Sequence, residues 1–256
     1  MPMEWISRIT WEQADAMDKE QTLCILPVSA LEQHGKHLPL GTDDVILMRS
    51  LEALAVRYQD REDPVLVYPP VHYGNSAEHR GFCGTASLRL DTLLAVIRDL
   101  VFSIADSGFS HVLLLNSHGG NSALLEAMAQ ELHADSGVRL FCLNYWASDF
   151  FSPAASFIDT PLSDEYHAGE IETSLLLHWQ PDTVATTDLT ESDLHCTPGF
   201  HPLDKSWLTA EVSPNGVMGN AAAASPEKGE ALAVMLADRL ESAVDSVLRE
   251  IRHLAG

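Results

Sequence analysis

The sequence predicts an α/β protein built as a three-layer αβα sandwich around a mostly parallel sheet. Apolar runs as long as buried strands alternate along the chain with segments whose apolar residues recur at helical spacing. The 256 residues, 46% of them hydrophobic, suffice for one large domain or two small ones. Because no internal repeat or low-complexity linker interrupts the pattern, we expect a single domain over residues 1–256.

The predicted elements follow directly from this alternation. In chain order they are a strand at 23–28, a helix at 43–58, a strand at 65–68, a helix at 91–107, a strand at 111–115, a helix at 122–134, a strand at 139–143, and helices at 170–179 and 227–251. Thr42 is a possible N-cap for the first helix, and Gly108 closes the second. Residues 181–225 show no periodic pattern and are predicted as a long excursion, not a separate domain.

The charge balance limits the classes of partner. Fifteen basic residues against 37 acidic ones give a net charge of −22, which argues against nucleic acid and anionic membrane surfaces. No apolar stretch approaches the roughly 20 residues of a membrane span, and residues 1–10 lack the apolar core of a signal peptide. The four cysteines are scattered, as expected for reduced thiols. We therefore expect a cytoplasmic protein that contacts neither nucleic acid nor membrane.

The segment from Glu32 to Asp44 concentrates metal-ligand chemistry directly after the first predicted strand. It holds two histidines and three carboxylates, which are costly to desolvate together unless a divalent cation neutralises them. Glu32 and His34 are two residues apart in a loop and can turn toward one point. Asp43 lies where a helix begins, and its carboxylate could bridge two cations. The alternatives are a helix cap for Asp43 and a buried, hydrogen-bonded imidazole for His34.

A second polar segment, 116–121, follows the third predicted strand. In an open α/β sheet, ligands gather at the carboxyl ends of parallel strands, so we expect His118 on the same edge as the first segment. Gly119 and Gly120 allow the backbone to approach a ligand closely, and N–H groups of the next helix could hold an oxyanion. The alternative is a glycine turn with an incidental histidine. Asn121 is predicted as the helix N-cap.

A third segment, 167–172, combines histidine and glutamate at the start of a helix. On a regular helix Glu170 and Glu172 point about 200° apart, so both cannot face one site. A helix beginning near Gly169 places His167 on a loop and turns Glu170 toward the metal. Glu172 would then hold His167 or a backbone group, or lie on the protein surface.

A fourth segment, the polar loop at 73–82 with an aromatic residue at each end, could line a substrate pocket. Taken together, the segments resemble the creatininase (creatinine amidohydrolase) family. The matching pieces are Glu32-Gln33-His34-Gly35 through Asp43, Tyr73-Gly74 through Glu78-His79, Gly84-Thr85 with Ser87-Leu88, Asn116 through Asn121, and His167 through Ser174. They run in family order, and as a set they are far more specific than any single piece.

The resemblance implies a binuclear centre with two divalent metal ions per subunit (zinc, manganese or iron), hydrolysis of a C–N bond in a small-molecule amide, and a homohexamer. It suggests Glu32, Asp43 and His118 for one ion, and His34 with the bridging Asp43 for the other. His167 becomes the proton shuttle, with Glu172 as its catalytic partner. The substrate-binding residues it implies are Ser76, Glu78, His79, Gly119, Gly120 and Asp164.

One departure from the family pattern affects the second metal. Creatininases carry Tyr-Glu after the metal histidine, and that glutamate is a ligand, whereas Gly119 and Gly120 stand here. Glu170 is the predicted replacement. The change also removes an aromatic residue from the pocket, and members with His-Gly-Gly-Asn resemble formamide deformylases or a peptidase that trims a modified precursor peptide.

The leading prediction is therefore a metal-dependent amidohydrolase acting on a small cyclic or formylated amide. The alternative within the same scaffold is a peptidase acting on a precursor peptide, which would need a wider groove. From a different class, the chain could be a non-catalytic metal-binding protein, which requires a closed coordination shell with no open water position.

Overall fold

The computed structural model describes residues 3–147, 149–194 and 206–254. Its strands are β1 (Glu4–Trp5), β2 (Leu23–Val28), β3 (Val65–Val67), β4 (His111–Asn116) and β5 (Arg139–Asn144). In the described part of the chain they form one sheet in the order β1-β3-β2-β4-β5, and every neighbouring pair is parallel. The predicted parallel sheet is confirmed, with the short edge strand β1 added to it.

Helices cover both faces of this sheet. They are α1 (Trp11–Asp15), α2 (Thr42–Tyr58), α3 (Leu90–Asp106), α4 (Ser122–Ser136), α5 (Glu170–Trp179), α6 (Thr209–Val212) and α7 (Pro226–Leu254). Successive residues of β2 alternate between the faces: Leu23 and Ile25 pack in the core with α2, α5 and α7, whereas Cys24 and Leu26 pack with α3 and α4. The three-layer αβα prediction is confirmed.

The observed boundaries differ from the predicted ones by a few residues. Gly41, not Thr42, is the N-cap residue of α2, because the Thr42 hydroxyl donates instead to the Pro39 carbonyl oxygen at 2.7 Å. The excursion predicted at 181–225 is described at 181–194 and 206–225, where it contains 3-10 turns and α6; the remainder lies outside the described residues. No helix within the described ranges is long and apolar enough to cross a bilayer.

The pairing of β2 with β4 brings the polar segments 32–44 and 116–121 together. Strands β2 and β4 are neighbours, and Val28 at the carboxyl end of β2 lies opposite Asn116 at the end of β4. The loops that carry Glu32 and His118 therefore leave the sheet side by side, as the sheet-edge argument predicts.

Helices α5 and α7 cross in close contact at Gly229. A methyl group there would lie 1.9 Å from the Ser174 carbonyl oxygen and 2.7 Å from the His178 Cβ. Although alanine gains about 1 kcal/mol of helix propensity over glycine, Gly229→Ala must push the helices apart. We expect the free energy of unfolding to fall by about 1–3 kcal/mol in urea denaturation.

The control for this prediction is Glu230→Ala, one residue further along α7 on its exposed side, which should leave stability nearly unchanged. Equal or higher stability of Gly229→Ala would show that the α5–α7 contact relaxes without strain.

Candidate metal centre and active site

Five acidic and imidazole side chains meet at the carboxyl edge of the sheet. The loop after β2 supplies two of them, the first turn of α2 a third, the loop after β4 a fourth, and the first turn of α5 the fifth. All five are at least nine-tenths buried; they are Glu32, His34, Asp43, His118 and Glu172. The sequence arguments identified four of these as metal ligands and the fifth as a catalytic residue.

Asp43 occupies the middle of this cluster. Its Oδ1 lies 3.7 Å from His34 Nε2, and its Oδ2 lies 3.7 Å from His118 Nδ1. The side chain makes no capping hydrogen bond at the start of α2. Its neighbour Asp44 turns elsewhere, to the hydroxyl of Ser29. The helix-cap alternative for Asp43 is therefore not what the structure shows, and one oxygen is directed toward each imidazole.

The remaining contacts complete two groups around Asp43. Glu32 Oε1 lies 3.3 Å from His118 Nδ1 on one side, and Glu172 Oε1 lies 3.6 Å from His34 Nε2 on the other. The clusters able to hold an ion among the described residues include His34–Asp43–Glu172 and two others that contain Glu32.

Three buried atoms in this cluster have no hydrogen-bond partner among the described residues. They are Glu32 Oε2, His34 Nε2 and Asp43 Oδ2. Leaving such atoms unpaired costs about 1–3 kcal/mol each, more for charged groups, so native proteins rarely tolerate them without a function. Carboxylate oxygens and imidazole nitrogens are ligands for zinc and manganese. The residues present therefore fit a divalent metal centre.

Without cations, protons on the imidazoles balance the negative charge of the cluster. Burial and the nearby Glu32 raise the pKa of Asp43 to about 6. Burial opposes protonation of the imidazoles, but Glu172 and Asp43 hold the pKa of His34 well above its usual value. Burial is likewise overcome at His118, where Glu32 raises the pKa to about 10. Protons on the histidines thus balance the carboxylates, and bound cations would displace those protons.

Glu170 does not join the cluster, so its predicted role as the replacement ligand is wrong. Its fully buried carboxylate accepts the backbone N–H groups of Asp159 at 2.9 Å and Thr160 at 2.7 Å, and it pairs with the Lys228 ammonium. The helix begins where it was predicted to begin. The side of the helix that faces the cluster, however, carries Glu172 and not Glu170.

Glu172 is fixed in its orientation by the turn that precedes α5. Its Oε2 accepts the Ala168 backbone N–H at 2.5 Å, while Oε1 is directed toward His34. Ala168 has a positive φ of 52°, which a non-glycine residue adopts only at a cost. The hydrogen bond to Glu172 helps to hold this conformation.

Glu170→Gln should therefore affect stability and not metal content. The variant loses the charge that pairs with Lys228, a hydrogen bond to a charged group, so we expect unfolding to become easier by about 1.5–3 kcal/mol. Thermal denaturation and metal analysis of the same preparation measure both quantities. Asp159→Asn is the matched control, because it removes another Lys228 partner whose side chain is 79% exposed. A loss of metal without loss of stability would restore Glu170 as a ligand.

His167 stacks between two other imidazoles. Its ring centroid lies 4.3 Å from that of His34 and 4.2 Å from that of His79. Nε2 lies 2.6 Å from the Gln33 carbonyl oxygen and donates its proton there, which leaves Nδ1 facing Glu32 Oε1 at 3.6 Å. Burial and the charges of His34 and His79 hold the pKa of His167 well below its usual value. The ring is therefore neutral, with its lone pair on Nδ1.

The Gln33 side chain is a site element that the sequence arguments missed. Its amide nitrogen lies 2.9 Å from His79 Nδ1 and donates to the Gly216 carbonyl oxygen at 3.1 Å, while its oxygen accepts the Gly35 N–H at 2.9 Å. Its membership of the Glu32-Gln33-His34-Gly35 motif was a signal in the sequence, but the sequence arguments assigned it no role.

Of the residues predicted to contact substrate, some line the site cavity and others lie outside it. His79 is buried and places Nε2 3.3 Å from Glu32 Oε1. The Ser76 hydroxyl is buried 3.5 Å from His118 Nε2 and does not line the site cavity. Asp164 is exposed in a 3-10 turn, accepts the Ser163 hydroxyl and also lies outside that cavity. The geometry does not support substrate contacts for these last two.

A cavity of about 220 Å³ opens beside the metal cluster. Besides cluster residues, His79 and His167, it is lined by Glu78, Gly119, Gly120, Trp146, Tyr166, Trp207 and Met218. The Trp146 indole is held by a hydrogen bond of 2.6 Å to the Ser117 carbonyl oxygen. The last four of these wall residues were not predicted, because they lie in irregular loops far apart in the sequence.

The side chain of Asn121 has a different role from the predicted cap. It is the N-cap residue of α4, as predicted, but its side chain makes no cap hydrogen bond. Its side chain accepts the Asn75 backbone N–H at 2.9 Å and donates to the Ser29 carbonyl oxygen at 3.2 Å. It thereby ties the loop that carries Glu78 to the edge of the sheet.

The model of the creatinine amidohydrolase (creatininase) family matches residues 7–244. The chain belongs to the creatininase family. This creatininase-family chain is 32% identical over 229 residues to the mycofactocin precursor peptide peptidase of Mycolicibacterium smegmatis, covering 89% of this chain and 85% of the relative. It is 29% identical over 248 residues to the creatinine amidohydrolase of Pseudomonas putida, covering 88% and 90%.

Solved creatininase structures share the fold. A manganese creatininase superposes with a TM-score of 0.76 at 25% identity, covering 95% of this chain and 98% of that one. A creatininase variant complexed with creatine superposes with a TM-score of 0.75 at 26% identity and the same coverage. The creatininase-family protein described here is thus a hydrolytic enzyme of the amidohydrolase type, and its His/Glu cluster supports metal binding.

Glycine at position 120 of this creatininase-family chain has a steric reason. A methyl group there would lie 2.4 Å from Glu78 Oε1, 2.5 Å from His118 Nε2 and 2.6 Å from the Asn75 carbonyl oxygen. A side chain at position 120 would therefore displace the Glu78 carboxylate and the His118 imidazole.

Proposed function

We propose that this protein hydrolyses a C–N amide bond in a small cyclic or formylated amide, using a centre of two divalent cations. The observation that carries the proposal is the set of unpartnered, buried ligand atoms of Glu32, His34 and Asp43 beside a cavity. Zinc, manganese or iron held there would activate water and polarise the amide carbonyl.

The ligand sets follow from the two groups around Asp43. Glu32, Asp43 and His118 would hold one ion. His34, Asp43 and Glu172 would hold the other. Each ion then has three protein ligands, the number typical of catalytic zinc sites, which leave a coordination position open. This arrangement favours an enzyme over a closed, non-catalytic metal site.

Protein groups would supply the proton transfers and the charge stabilisation. His167, neutral with its lone pair on Nδ1, can accept a proton at the cavity wall and pass it to the leaving nitrogen. Gly119 and Gly120 line the cavity, and their backbone N–H groups would donate to the oxygen that gains negative charge. Glu172 therefore acts as a ligand in this proposal, not as the partner of His167.

Substrate size is the main argument for a small amide. A cavity of about 220 Å³ accommodates a molecule of small-metabolite size. Half-buried Trp146 and Trp207 supply apolar wall surface, which is typical of small-molecule pockets.

A second candidate is a peptidase that trims a precursor peptide. The observation in its favour is the 32% identity to a mycofactocin precursor peptide peptidase. A peptide would have to extend beyond the cavity, past Tyr166, whose side chain is 53% exposed.

Turnover measurements on one preparation separate these candidates. The protein is loaded with Mn²⁺ or Zn²⁺ and offered creatinine, hydantoin, a formamidopyrimidine and short peptides. We expect hydrolysis of a small amide that stops when a chelator removes the metal. Cleavage of peptides with no turnover of small amides would favour the peptidase, and a protein that binds no metal would contradict both candidates.

We further propose that the chain forms a single domain, assembles as a homohexamer and resides in the cytoplasm. The hexamer follows from the family resemblance, and the location follows from the sequence composition. Light scattering coupled to size exclusion tests the assembly, and a predominantly monomeric or dimeric protein would contradict it.

Replacing His167 with alanine tests the proton shuttle. We expect metal content near that of the wild type and turnover lower by roughly 10²–10⁴-fold, the usual range for a positioned acid or base. Metal analysis and kcat are measured on the same sample. Because His167 also lies within reach of an ion held by Glu32 and His34, loss of metal together with activity would make it a ligand.

A further inference from the structure

We propose that Glu78 is the residue that selects substrates carrying a cationic group, an ammonium or amidinium, close to the scissile amide. This inference rests on the proposed function, since it names the substrate class of the same site. The side chain lines the site cavity and is 19% exposed, so it is accessible to a small molecule while largely removed from bulk water.

Glu78 lies on the side of His118 that faces away from the proposed metal. The imidazole directs Nδ1 toward Glu32 and Nε2 toward Glu78, whose Oε1 is 3.6 Å away. Nε2 donates to the Asn75 carbonyl oxygen at 2.9 Å and therefore carries a proton and cannot bind metal. Glu32, Glu78 and His118 lie close enough to hold an ion together, but this nitrogen offers it no lone pair, so the Glu78 carboxylate remains available to a substrate.

The charge balance of the cavity makes Glu78 the unpaired charge. Two divalent cations carry four positive charges, which the carboxylates of Glu32, Asp43 and Glu172 together with one hydroxide ion would balance. Among the described residues that line the cavity none is lysine or arginine. The basic group beside Glu78 is the His118 imidazole at 3.6 Å, which would be uncharged once its Nδ1 holds an ion. A partly desolvated carboxylate without a counter-charge is a binding site for a substrate cation.

The aromatic residues of the cavity wall favour the same class of substrate. Trp146, Tyr166 and Trp207 surround the space beside Glu78. Aromatic ring faces attract cations, and this attraction strengthens where water is excluded. A carboxylate together with aromatic walls distinguishes a cationic amide from a neutral amide of the same shape.

Two isosteric formamides test this inference by binding. N-(2-aminoethyl)formamide carries an ammonium where N-propylformamide carries a methyl group. On zinc-loaded protein, tryptophan fluorescence gives the dissociation constant of each, or KM where the probe is turned over. We expect the cationic probe to bind about tenfold tighter than the neutral one, equivalent to about 1.4 kcal/mol. In Glu78→Gln this preference should disappear, with zinc content and the affinity for the neutral probe unchanged.

Glu211→Gln is the matched control for loss of one negative charge, since Glu211 is exposed and caps the start of α6. It should retain the tenfold preference. Equal binding of the two probes by the wild type, no binding of either at about 10 mM, or a preference that survives in Glu78→Gln would each overturn the role of Glu78. A protein that holds zinc and hydrolyses amides without charge preference contradicts only this inference, whereas a protein that binds no zinc contradicts the proposed function itself.

Discussion

Asp43→Ala is expected to abolish binding of both metal ions and, with them, amide hydrolysis. The carboxylate directs one oxygen toward His34 and the other toward His118, so its removal takes a ligand from both ions at once. Wild-type protein at a metal concentration 100-fold above the dissociation constant should gain about 2.7 kcal/mol of stability, and the variant should gain none. Metal analysis and thermal denaturation with and without zinc measure the two effects.

Asp44→Ala is the matched control, because the neighbouring carboxylate in the same helical turn contacts Ser29 and His72 outside the cluster. It should retain both ions. Metal-free Asp43→Ala should be at least as stable as the metal-free wild type, since it removes a buried oxygen that has no partner. Similar small losses of metal in both variants would show that Asp43 does not bridge.

Glu172→Gln is expected to remove about half of the bound metal. The substitution keeps the size of the side chain but removes the charge beside His34 Nε2, while Glu32 and His118 on the other side of Asp43 are untouched. Turnover should fall with the lost ion, because a divalent cation held there would supply the activation of water. Metal analysis by mass spectrometry and kcat at saturating manganese provide the measurements.

Glu170→Gln is the paired comparison for this result. The two glutamates share one helical turn, but only Glu172 faces the cluster, whereas Glu170 pairs with Lys228. The same change to glutamine should therefore lower the metal content at position 172 and the free energy of unfolding at position 170. Retention of both ions by Glu172→Gln would show that the centre needs no carboxylate from α5.

The fold was predictable because its signals are local. Buried parallel strands such as Leu23–Val28 are continuous apolar runs, and the helices that cover them repeat apolar residues every three or four positions. Predicted and observed elements accordingly agree within a few residues. The edge strand Glu4–Trp5 was missed because two residues are too few to show a period.

Much of the buried cluster of histidines and carboxylates was predictable for a related reason. Parallel strands end at one edge of the sheet, so segments that follow neighbouring strands must meet there, as Glu32, His34 and His118 do. The motif resemblance added the order of the segments and the family.

The sequence by itself determined the layer architecture, the family and the segments that carry the chemistry, since periodicity and motif spacing are properties of neighbouring residues. Only the tertiary structure decided that Glu172 and not Glu170 faces the cluster. Glu170 instead forms an ion pair with Lys228, which is 58 residues away along the chain. The tertiary structure likewise placed the Gln33 amide beside His79 and His167, and the Glu78 carboxylate against Gly120. These outcomes depend on which side chains, distant in sequence, compete for the same buried partner, and no local pattern encodes that competition.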